Sequence, residues 1–534
     1  MAQAVPPRVV PGAFIRPGRR VRGLAALWLA FALPAIAGPG GDPFALPEIP
    51  DGREAPALPT AYATYPFAPD ATFGGPYGTG GLDVIRGGLI GGDAVAMRSA
   101  TLENGDVVTA GLVTTGGAYT IVLNRQNAGG TGVNWPASGQ IYVIHANPGG
   151  NRYARIDDLR VFDDRIYVLA TRAYSATDTD VDVVVFDLDG NLITRYVGMG
   201  TTANERGGGL AFYQVVGTTT VTTYVIVIGE QTAGGRTQPV FSRASWTSAA
   251  SLVRDPAVGL RPIDIPDGLC GGSSAPCSMR VAGVATTGSS FLAIDPQRIY
   301  IGGSILYSGE DWDFAVMRVN RSGDLVESFG IGGIRRVPID VEGSGTDLAT
   351  GVAARRQGGS TDAYDEIFLA GNVSQRCDGG IGIVKLADAG GIVSTFGNGG
   401  KVVIGGHNGG SGTTPICILN NGDDIASGGI RVAGDYLVVA GQSQWYPFGG
   451  GALRGDVLFG AVHANGGAIA DFRSYRLISP YTGVREDSII YGMSVDGSGR
   501  VVVAGNTWAG TNGLAFLSGR FIGDRIFGDD LEVD

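Results

Sequence analysis

Aromatic side chains recur at one position of a repeated pattern in this sequence. Four of them, Tyr174, Tyr307, Trp445 and Trp508, follow within three or four residues a β-branched run that ends in small residues, and Trp312 stands later in the same loop as Tyr307. Aromatic rings presented by neighbouring loops can stack on sugar rings or other flat ligands. The same rings could instead fill the space between one loop and the next structural unit, because all-β proteins use aromatic residues freely in packing. The sequence therefore makes these residues candidates for ligand binding.

Carboxylates occur in two of the same loops as alternate acids. The two sets are Asp178, Asp180 and Asp182, and Glu310, Asp311 and Asp313. Alternate acids on an extended segment point to the same side and could offer oxygen ligands to calcium. Neither loop has the full Asp-x-Asp-x-Asp-Gly pattern with a distant Glu, so solvated loop acids are the competing interpretation. We predict no cofactor, with calcium as the alternative at these loops.

Histidines and known catalytic motifs contribute little. His145 and His463 lie near strand ends where a packing role suffices, and only His407 is placed near the aromatic-bearing loops. The sequence has no Gly-x-Ser-x-Gly elbow with suitable partners, no HExxH and no phosphate loop. We predict no catalytic residue.

Four cysteines suggest disulfides if the chain is exported. Cys270 and Cys277 close a short loop rich in turn-forming residues and are predicted to pair; Cys377 with Cys417 then follows by elimination. A zinc site is the alternative, although no CxxC spacing occurs and the chain has three histidines.

The first 37 residues are typical of a secretory signal peptide. Five arginines and no acid precede or flank a short apolar run that ends in Ala-Ile-Ala. An amphipathic N-terminal helix is the alternative, and the run is shorter than the roughly 20 residues of a membrane span. Removing residues 1–37 changes the formal charge from −11 to −16, since 34 basic and 50 acidic residues remain. We expect a soluble, secreted or periplasmic protein that binds neither nucleic acid nor an anionic membrane surface.

The aromatic residues belong to a longer repeat. Short β-branched runs end in small triplets whose last residues are separated by 58 (Thr171 to Gly229) to 74 residues (Gly229 to Gly303). Downstream of the triplets come a strand that ends in a glycine turn and then a Phe-Gly element, as at Phe329 and Phe396. No long apolar stripe has helical spacing. The chain therefore reads as all-β, with repeats of the size of a propeller blade.

An isolated copy of the Phe-Gly element begins the repeat region. Residues 72–85 carry it before any complete unit, and the final unit stops after its third strand. Pairing these two ends would remove exposed sheet edges. We predict a seven-bladed β-propeller over residues 62–523, closed by an N-terminal strand in the last blade. A Pro/Gly-rich linker (38–61) precedes it and an acidic tail (524–534) follows it.

The repeat resembles a known family. Residues 311–333, from Asp311-Trp312-Asp313 through a glycine turn to Phe329-Gly330-Ile331-Gly332-Gly333, are similar to the delta-60 repeat of bacterial extracellular proteins. The likeness is good over residues 300–405 and degenerate elsewhere, since residues 195–260 lack the Phe-Gly element. It implies a propeller-like exported protein and transfers no catalytic residue.

Three functions are compatible with these observations. The main prediction is a monomeric binding or structural module for glycans or extracellular proteins. A metal-assisted hydrolase or lyase at the mouth of the propeller channel is the alternative, and it requires inner-strand carboxylates from at least three blades to converge. A surface protein without a small ligand is the third.

Overall fold

A computed structural model describes the chain over the following ranges: 68–70, 73, 82–85, 94–115, 118–145, 152–175, 177–271, 277–288, 297–308, 311–339, 346–358, 363–374, 379–404, 421–445, 454–475, 477–478, 485–508 and 514–522. All of them belong to one compact unit, Pro47–Asp534. The predicted signal peptide, linker and acidic tail lie outside the described residues. Within the described ranges the chain is all-β apart from a 3-10 turn at Asp267–Leu269, which confirms the predicted fold class at that level.

The strands form consecutive antiparallel meanders. The N-terminal part begins with β1 (Ala68–Pro69) and β2 (Leu82–Ile85). The first meander contains β3 (Ala94–Thr101), β4 (Val107–Thr115), β5 (Ala118–Gln126) and β6 (Tyr142–His145), and the second contains β7 (Arg152–Phe162), β8 (Arg165–Ala173), β9 (Thr179–Asp187) and β10 (Leu192–Met199). The third contains β11 (Asn204–Val216), β12 (Val221–Ala233) and β13 (Arg236–Ser248), with β14 (Ser251–Arg254) and β15 (Leu260–Pro262) both paired to β13. A single parallel bridge between Thr179 and Asn204 joins the last two of these meanders.

The C-terminal part continues the same arrangement. The fourth meander contains β16 (Met279–Thr287), β17 (Arg298–Ser308), β18 (Asp311–Val319) and β19 (Ile334–Val337), and the fifth contains β20 (Asp347–Gln357), β21 (Tyr364–Ser374), β22 (Gly379–Ala387) and β23 (Lys401–Ile404). In the sixth, β24 (Asn421–Ile425) and β25 (Ile430–Ala433) both pair with β26 (Tyr436–Trp445), and β27 (Arg454–His463) and β28 (Ile469–Tyr475) follow. After the small hairpin of β29 (Leu477–Ile478) and β30 (Arg485–Glu486), the seventh contains β31 (Ser488–Val495), β32 (Val501–Trp508) and β33 (Leu514–Ile522). We call the first strand of each meander its leading strand; these are β3, β7, β11, β16, β20, β24 with β25, and β31.

The small triplets have a steric cause. In β17 the triplet glycine Gly303 pairs with Val281 of β16, and the next pair, Gly302 with Gly283, leaves Ala282 as a β-bulge. A Cβ on Gly303 would overlap the carbonyl oxygen of Arg280. Equivalent overlaps occur at the other triplet glycines, Gly111, Gly229, Gly371, Gly441 and Gly505. The repeated glycine is therefore required where the second strand passes close to the backbone of a leading strand.

Apolar clusters lie between consecutive meanders. Leu112 and Ile121 pack with Val168 of the next meander, and the β-branched runs of later meanders form clusters of the same kind. Burial of these runs provides the main stabilisation, at about 25 cal/mol per Å² of apolar area.

The Phe-Gly elements connect each meander to the next. Phe329 and Phe396 are fully buried. The amide of Gly330 donates to the carbonyl of Ala389 at 2.9 Å, and the amide of Gly397 donates to that of Gly466 at 3.0 Å. Both acceptors lie in the hairpin turn of the following meander, which explains why this element recurs in the sequence.

The first and last parts of the chain are paired. Strand β2 pairs antiparallel with β33, with Leu82 opposite Gly519, and β1 pairs with the end of the same strand. The first meander also contacts the last, because Ala96 and Val113 pack with Ala504 and Phe516. The pairing predicted for residues 72–85 is thus observed over Leu82–Ile85.

Candidate functional site

A polar cavity lies between the leading strands. It is open to solvent, has a volume of about 40 Å³ for the centres of water-sized molecules, and draws residues from every meander. The lining includes Arg98 of β3, Asp157, Asp158 and Arg160 of β7, Gly208 of β11, Gly283 of β16, Gly351 of β20, Ser427, Gly428 and Arg431 around β25, and Tyr491 of β31. We call it the leading-strand cavity.

The β-bulges of the leading strands form this cavity. Asp157, Gly208, Ala282, Thr350 and Tyr491 are bulged residues, each without a partner in the register of its ladder, and all line the cavity. A bulge redirects the local chain out of the regular alternation of a strand. The bulged segments of five leading strands therefore lie around the same space.

Arg98 ties three meanders together at the cavity wall. Its Nε donates to the carbonyl of Asp157 at 2.8 Å, and its Nη1 donates to the carbonyl of Tyr491 at 2.6 Å. Neither acceptor is a carboxylate. Among the described residues the guanidinium forms no direct ion pair, although Asp157 and Asp158 are near enough to oppose the lowering of its pKa by burial.

The two cavity acids have their own partners. Asp157 pairs through Oδ1 with Arg155 Nε at 2.5 Å and accepts from Thr171 Oγ1 at 2.6 Å. Asp158 accepts from Arg160 Nε and from the amide of Leu210, both at 2.9 Å. Each carboxylate is thus neutralised by an arginine of its own strand.

Arg431 is the least compensated charge in the cavity. Among the described residues it donates to the carbonyl of its neighbour Ile430 at 2.8 Å and forms no ion pair. Its pKa is lowered to about 10, first by burial and then by Arg160 and Arg98, while Asp158 opposes them. Burial also lowers the pKa of Arg98, which Asp157 and Asp158 oppose, and Arg206 and Arg160 add to the lowering. The lowered values reflect first the loss of solvation and then the neighbouring like charges.

Three of the five predicted aromatic residues can be placed, and each carries an arginine on its ring. The guanidinium carbon lies 4.3 Å from the ring centre for Arg172 on Tyr174, 3.4 Å for Arg336 on Tyr307 and 4.1 Å for Arg280 on Trp312. Gly271 also packs against the Tyr307 ring. Tyr174 is 44% exposed. Such cation–π pairs occupy one face of each ring and leave less of it for a ligand.

The other two aromatic residues are fixed only in backbone position. Trp445 ends β26 and Trp508 ends β32, so both stand at the end of a second strand, as Tyr307 does in β17 and as Tyr174 nearly does after β8. Their side chains lie outside the described residues, as does the whole of His407. The aromatic-bearing strand ends therefore lie at corresponding positions of their sheets. The three aromatic residues whose side chains are described, Tyr174, Tyr307 and Trp312, are not among the described residues that line the leading-strand cavity.

Three of the six acids suggested for calcium form ion pairs with arginines. Asp182 lies 2.9 Å from Arg172 Nε and 3.4 Å from Arg195 Nε, and Asp180 lies 3.0 Å from Arg172. Burial raises the pKa of Asp182, which Arg195 and Arg172 oppose. Asp313 pairs with Arg336 at 3.3 Å, while Glu310 lies outside the described residues. Guanidinium groups thus already compensate the charges of these three carboxylates.

Metal ligands do not cluster in the described part of the chain. No group of three His, Cys, Asp or Glu residues there is arranged to hold a metal ion. The described carboxylates at the cavity come from β7 alone rather than from three meanders, so the convergence required by the metal-assisted enzyme is not seen among them. No described helix has the length and apolarity to cross a membrane.

The predicted disulfide between Cys270 and Cys277 is confirmed, with the Cα atoms 5.7 Å apart. Cys377 and Cys417 lie outside the described residues.

A second series of glycines in the sequence indicates the position of the cavity. Gly209, Gly283 and Gly351 each precede a triplet glycine, Gly229, Gly303 and Gly371, by 20 residues. This second glycine series marks the bulges. The cavity arginines carry no such period, since Arg98, Arg160 and Arg431 occupy different register positions.

Fold and cavity together define an all-β protein of antiparallel meanders with a polar cavity between their leading strands. Similar folds among solved structures include polysaccharide lyase Uly1 (9% identity, TM-score 0.38, 80% of this chain and 90% of that one). Drosophila Semaphorin 2a gives 8% identity and a TM-score of 0.38 over 81% and 74% of the two chains. A subtype N10 neuraminidase-like protein of A/little yellow-shouldered bat/Guatemala/060/2010 gives 9% and 0.33 over 86% and 98%. At these identities and TM-scores the matches carry no inference about function.

No family model matches the chain, and no curated protein matches it. The resemblance to the delta-60 repeat stays a prediction.

Proposed function

We propose that the meanders are the seven blades of a closed β-propeller. Hydrogen bonds link neighbouring meanders. The amide of Val281 in β16 donates to Glu230 in β12, and the amide of Ala349 in β20 donates to Ser304 in β17. Ser427 bonds to the carbonyl of Ile490, and Arg98 bonds to that of Tyr491, which links the last meanders to the first. The pairing of β2 with β33 supplies a fourth strand to the final blade.

The function that this geometry supports best is ligand binding by an exported module. One observation carries the proposal: a polar cavity with charged groups lies where all the leading strands meet. Ligand sites are typically concave and contain a few convergent polar groups. The disulfide and the predicted signal peptide support export. A concave, polar site suits a terminal group of a glycan better than the flat surface of a folded protein.

A plug variant tests the cavity. A Cβ on Gly283 would have no neighbour nearer than 3.8 Å, and Gly283 lines the cavity, so Gly283→Phe is chosen to reduce the space in it. We expect this variant to lose at least about tenfold in affinity for whichever glycans the parent protein binds on a printed array, roughly 1.4 kcal/mol.

Gly391→Phe is the matched control. A Cβ there meets no atom within 4 Å, and the position lies in a hairpin turn away from the cavity. It should bind as the parent does, and both variants should keep the parent's urea midpoint. An array on which the parent binds no glycan, or on which Gly283→Phe binds unchanged, would contradict the proposal.

We also propose that the aromatic-bearing edge contributes to glycan binding. Trp445→Ala together with Trp508→Ala should weaken binding on the same array by about threefold to tenfold, as expected for the loss of aromatic stacking. Unchanged binding by a folded double variant would show that these side chains only pack.

A further inference from the structure

We propose that the leading-strand cavity recognises a compact oxyanion, namely a carboxylate, sulfate or phosphate group carried by an extracellular saccharide. This inference rests on the proposed function, since it names the ligand class of the same cavity. It differs from the aromatic stacking predicted from the sequence, because it depends on charge.

The balance of charge in the cavity wall favours an anion. Three guanidinium groups line it, from Arg98, Arg160 and Arg431, against the two carboxylates of Asp157 and Asp158. Arg155, just outside the lining, pairs with Asp157 at 2.5 Å, and Arg160 pairs with Asp158 at 2.9 Å. With both acids matched, the charges of Arg98 and Arg431 remain.

Arg431 supplies the donor for such a group. Its hydrogen bond to the carbonyl of Ile430 uses Nη1, so the remaining donors of its planar fork have no partner among the described residues. A guanidinium fork matches the paired oxygens of a carboxylate, sulfate or phosphate and forms short charge-assisted hydrogen bonds with them. A neutral hydroxyl would satisfy the donors without compensating the charge.

The shape of the wall suits a small group. Gly208, Gly283, Gly351 and Gly428 bring backbone rather than side chains to the cavity. A compact oxyanion can therefore approach the guanidinium groups closely.

The charge that remains in the cavity wall is opposite in sign to the net charge of the chain. The chain as a whole carries a formal charge of −11, so its long-range field repels anions. The lowered pKa of Arg431, caused first by burial and then by Arg160 and Arg98, shows that the positive charges there are held at a cost. A bound anion would relieve that cost, and added salt should weaken its binding.

Titration calorimetry in low-salt buffer tests the inference. The probes are sodium sulfate, sodium phosphate and sodium glucuronate, with glucose as the neutral comparison. At least one anion should bind at a single site, and glucose should bind at least tenfold more weakly. The preferred anion identifies which ester or acid the natural ligand carries.

Variants locate the binding. Arg431→Gln should weaken the preferred anion about tenfold to a hundredfold, since bonds to charged groups contribute most. Arg431→Lys, which keeps the charge and loses the fork, should lie between it and the parent. Arg261→Gln is the control, because Arg261 lies in an exposed ion pair with Asp324, and it should stay within twofold. Urea midpoints confirm that each variant is folded.

The outcomes separate the two proposals. If Gly283→Phe abolishes glycan binding but Arg431→Gln leaves both anion and glycan affinity unchanged, the oxyanion inference is overturned and the cavity remains the ligand site. Equal affinity for glucose and the anions overturns it as well. If Gly283→Phe leaves all binding unchanged, the cavity itself fails as the site.

Discussion

Gly303→Ala is expected to lower the free energy of unfolding by about 3 kcal/mol or more, because overpacking against fixed backbone is among the costliest single changes. The new Cβ would overlap the carbonyl oxygen of Arg280 and approach the Met279 side chain within 3.2 Å. Neither strand can move away, since Arg280 pairs with Ser304 and Val281 with Gly303 in the same ladder. The midpoint of urea unfolding, with the accompanying m-value, measures the loss.

Gly283→Ala is the matched control on the opposite strand of the same ladder. Its Cβ would meet Val352 at 3.8 Å, an ordinary contact. We expect a change of about 1 kcal/mol or less, which could be stabilising because alanine reduces the entropy of the unfolded chain. An equal loss in both variants would show that chain flexibility, and not the close approach, explains the repeated glycine.

The repeated glycines belong to the part of the fold that can be predicted from the sequence. The small triplets, the glycine turns and the Phe-Gly elements are local patterns with local causes, and they repeat. The order of strands within a meander follows from them. The N-terminal Phe-Gly copy similarly predicted a partner for β2, because a strand without its own meander needs an edge to pair with.

The charged cavity could not be predicted in the same way. Arg98, Arg160 and Arg431 stand on three leading strands at different register positions, and only the bulges bring them together. The ion pairs of Asp157 and Asp158 are likewise visible only in three dimensions. Sequence patterns within single loops therefore reveal residues that repeat along the chain, such as the aromatic residues. They do not reveal residues from different strands that come together only in the folded protein.

The aromatic residues illustrate the reverse case. Tyr307 and Trp312 recur in loops and look exposed in the sequence, but their arginine partners, Arg336 and Arg280, lie on other strands of the same meander. Two of the acids suggested for calcium illustrate the same point, because Arg172 lies on a neighbouring strand to Asp180 and Asp182 and pairs with both. Spacing along the chain does not reveal a partner of opposite charge supplied by another strand.

Asp70→Ala is expected to destabilise the protein by about 3 to 5 kcal/mol, the usual cost of removing one partner from a buried ion pair. Asp70 follows β1, and its Oδ2 accepts from Arg520 Nε at 2.6 Å and Nη2 at 2.5 Å. Both side chains are at most 4% exposed. The variant would leave the Arg520 charge buried and would weaken the attachment of the N-terminal segment to β33. Urea unfolding measures the effect.

Asp324→Ala supplies the comparison, since its ion pair with Arg261 is 2.6 Å long but nearly half exposed at both ends. Its loss should cost about 1 kcal/mol or less, because water screens such pairs. If the N-terminal segment closes a ring, Asp70→Ala should also expose the amides of β33 to faster hydrogen exchange, whereas Asp324→Ala should not. Equal and small losses in both variants, with β33 equally protected, would mean that the last sheet is stable without the N-terminal strand and that the proposed closure contributes nothing to the fold.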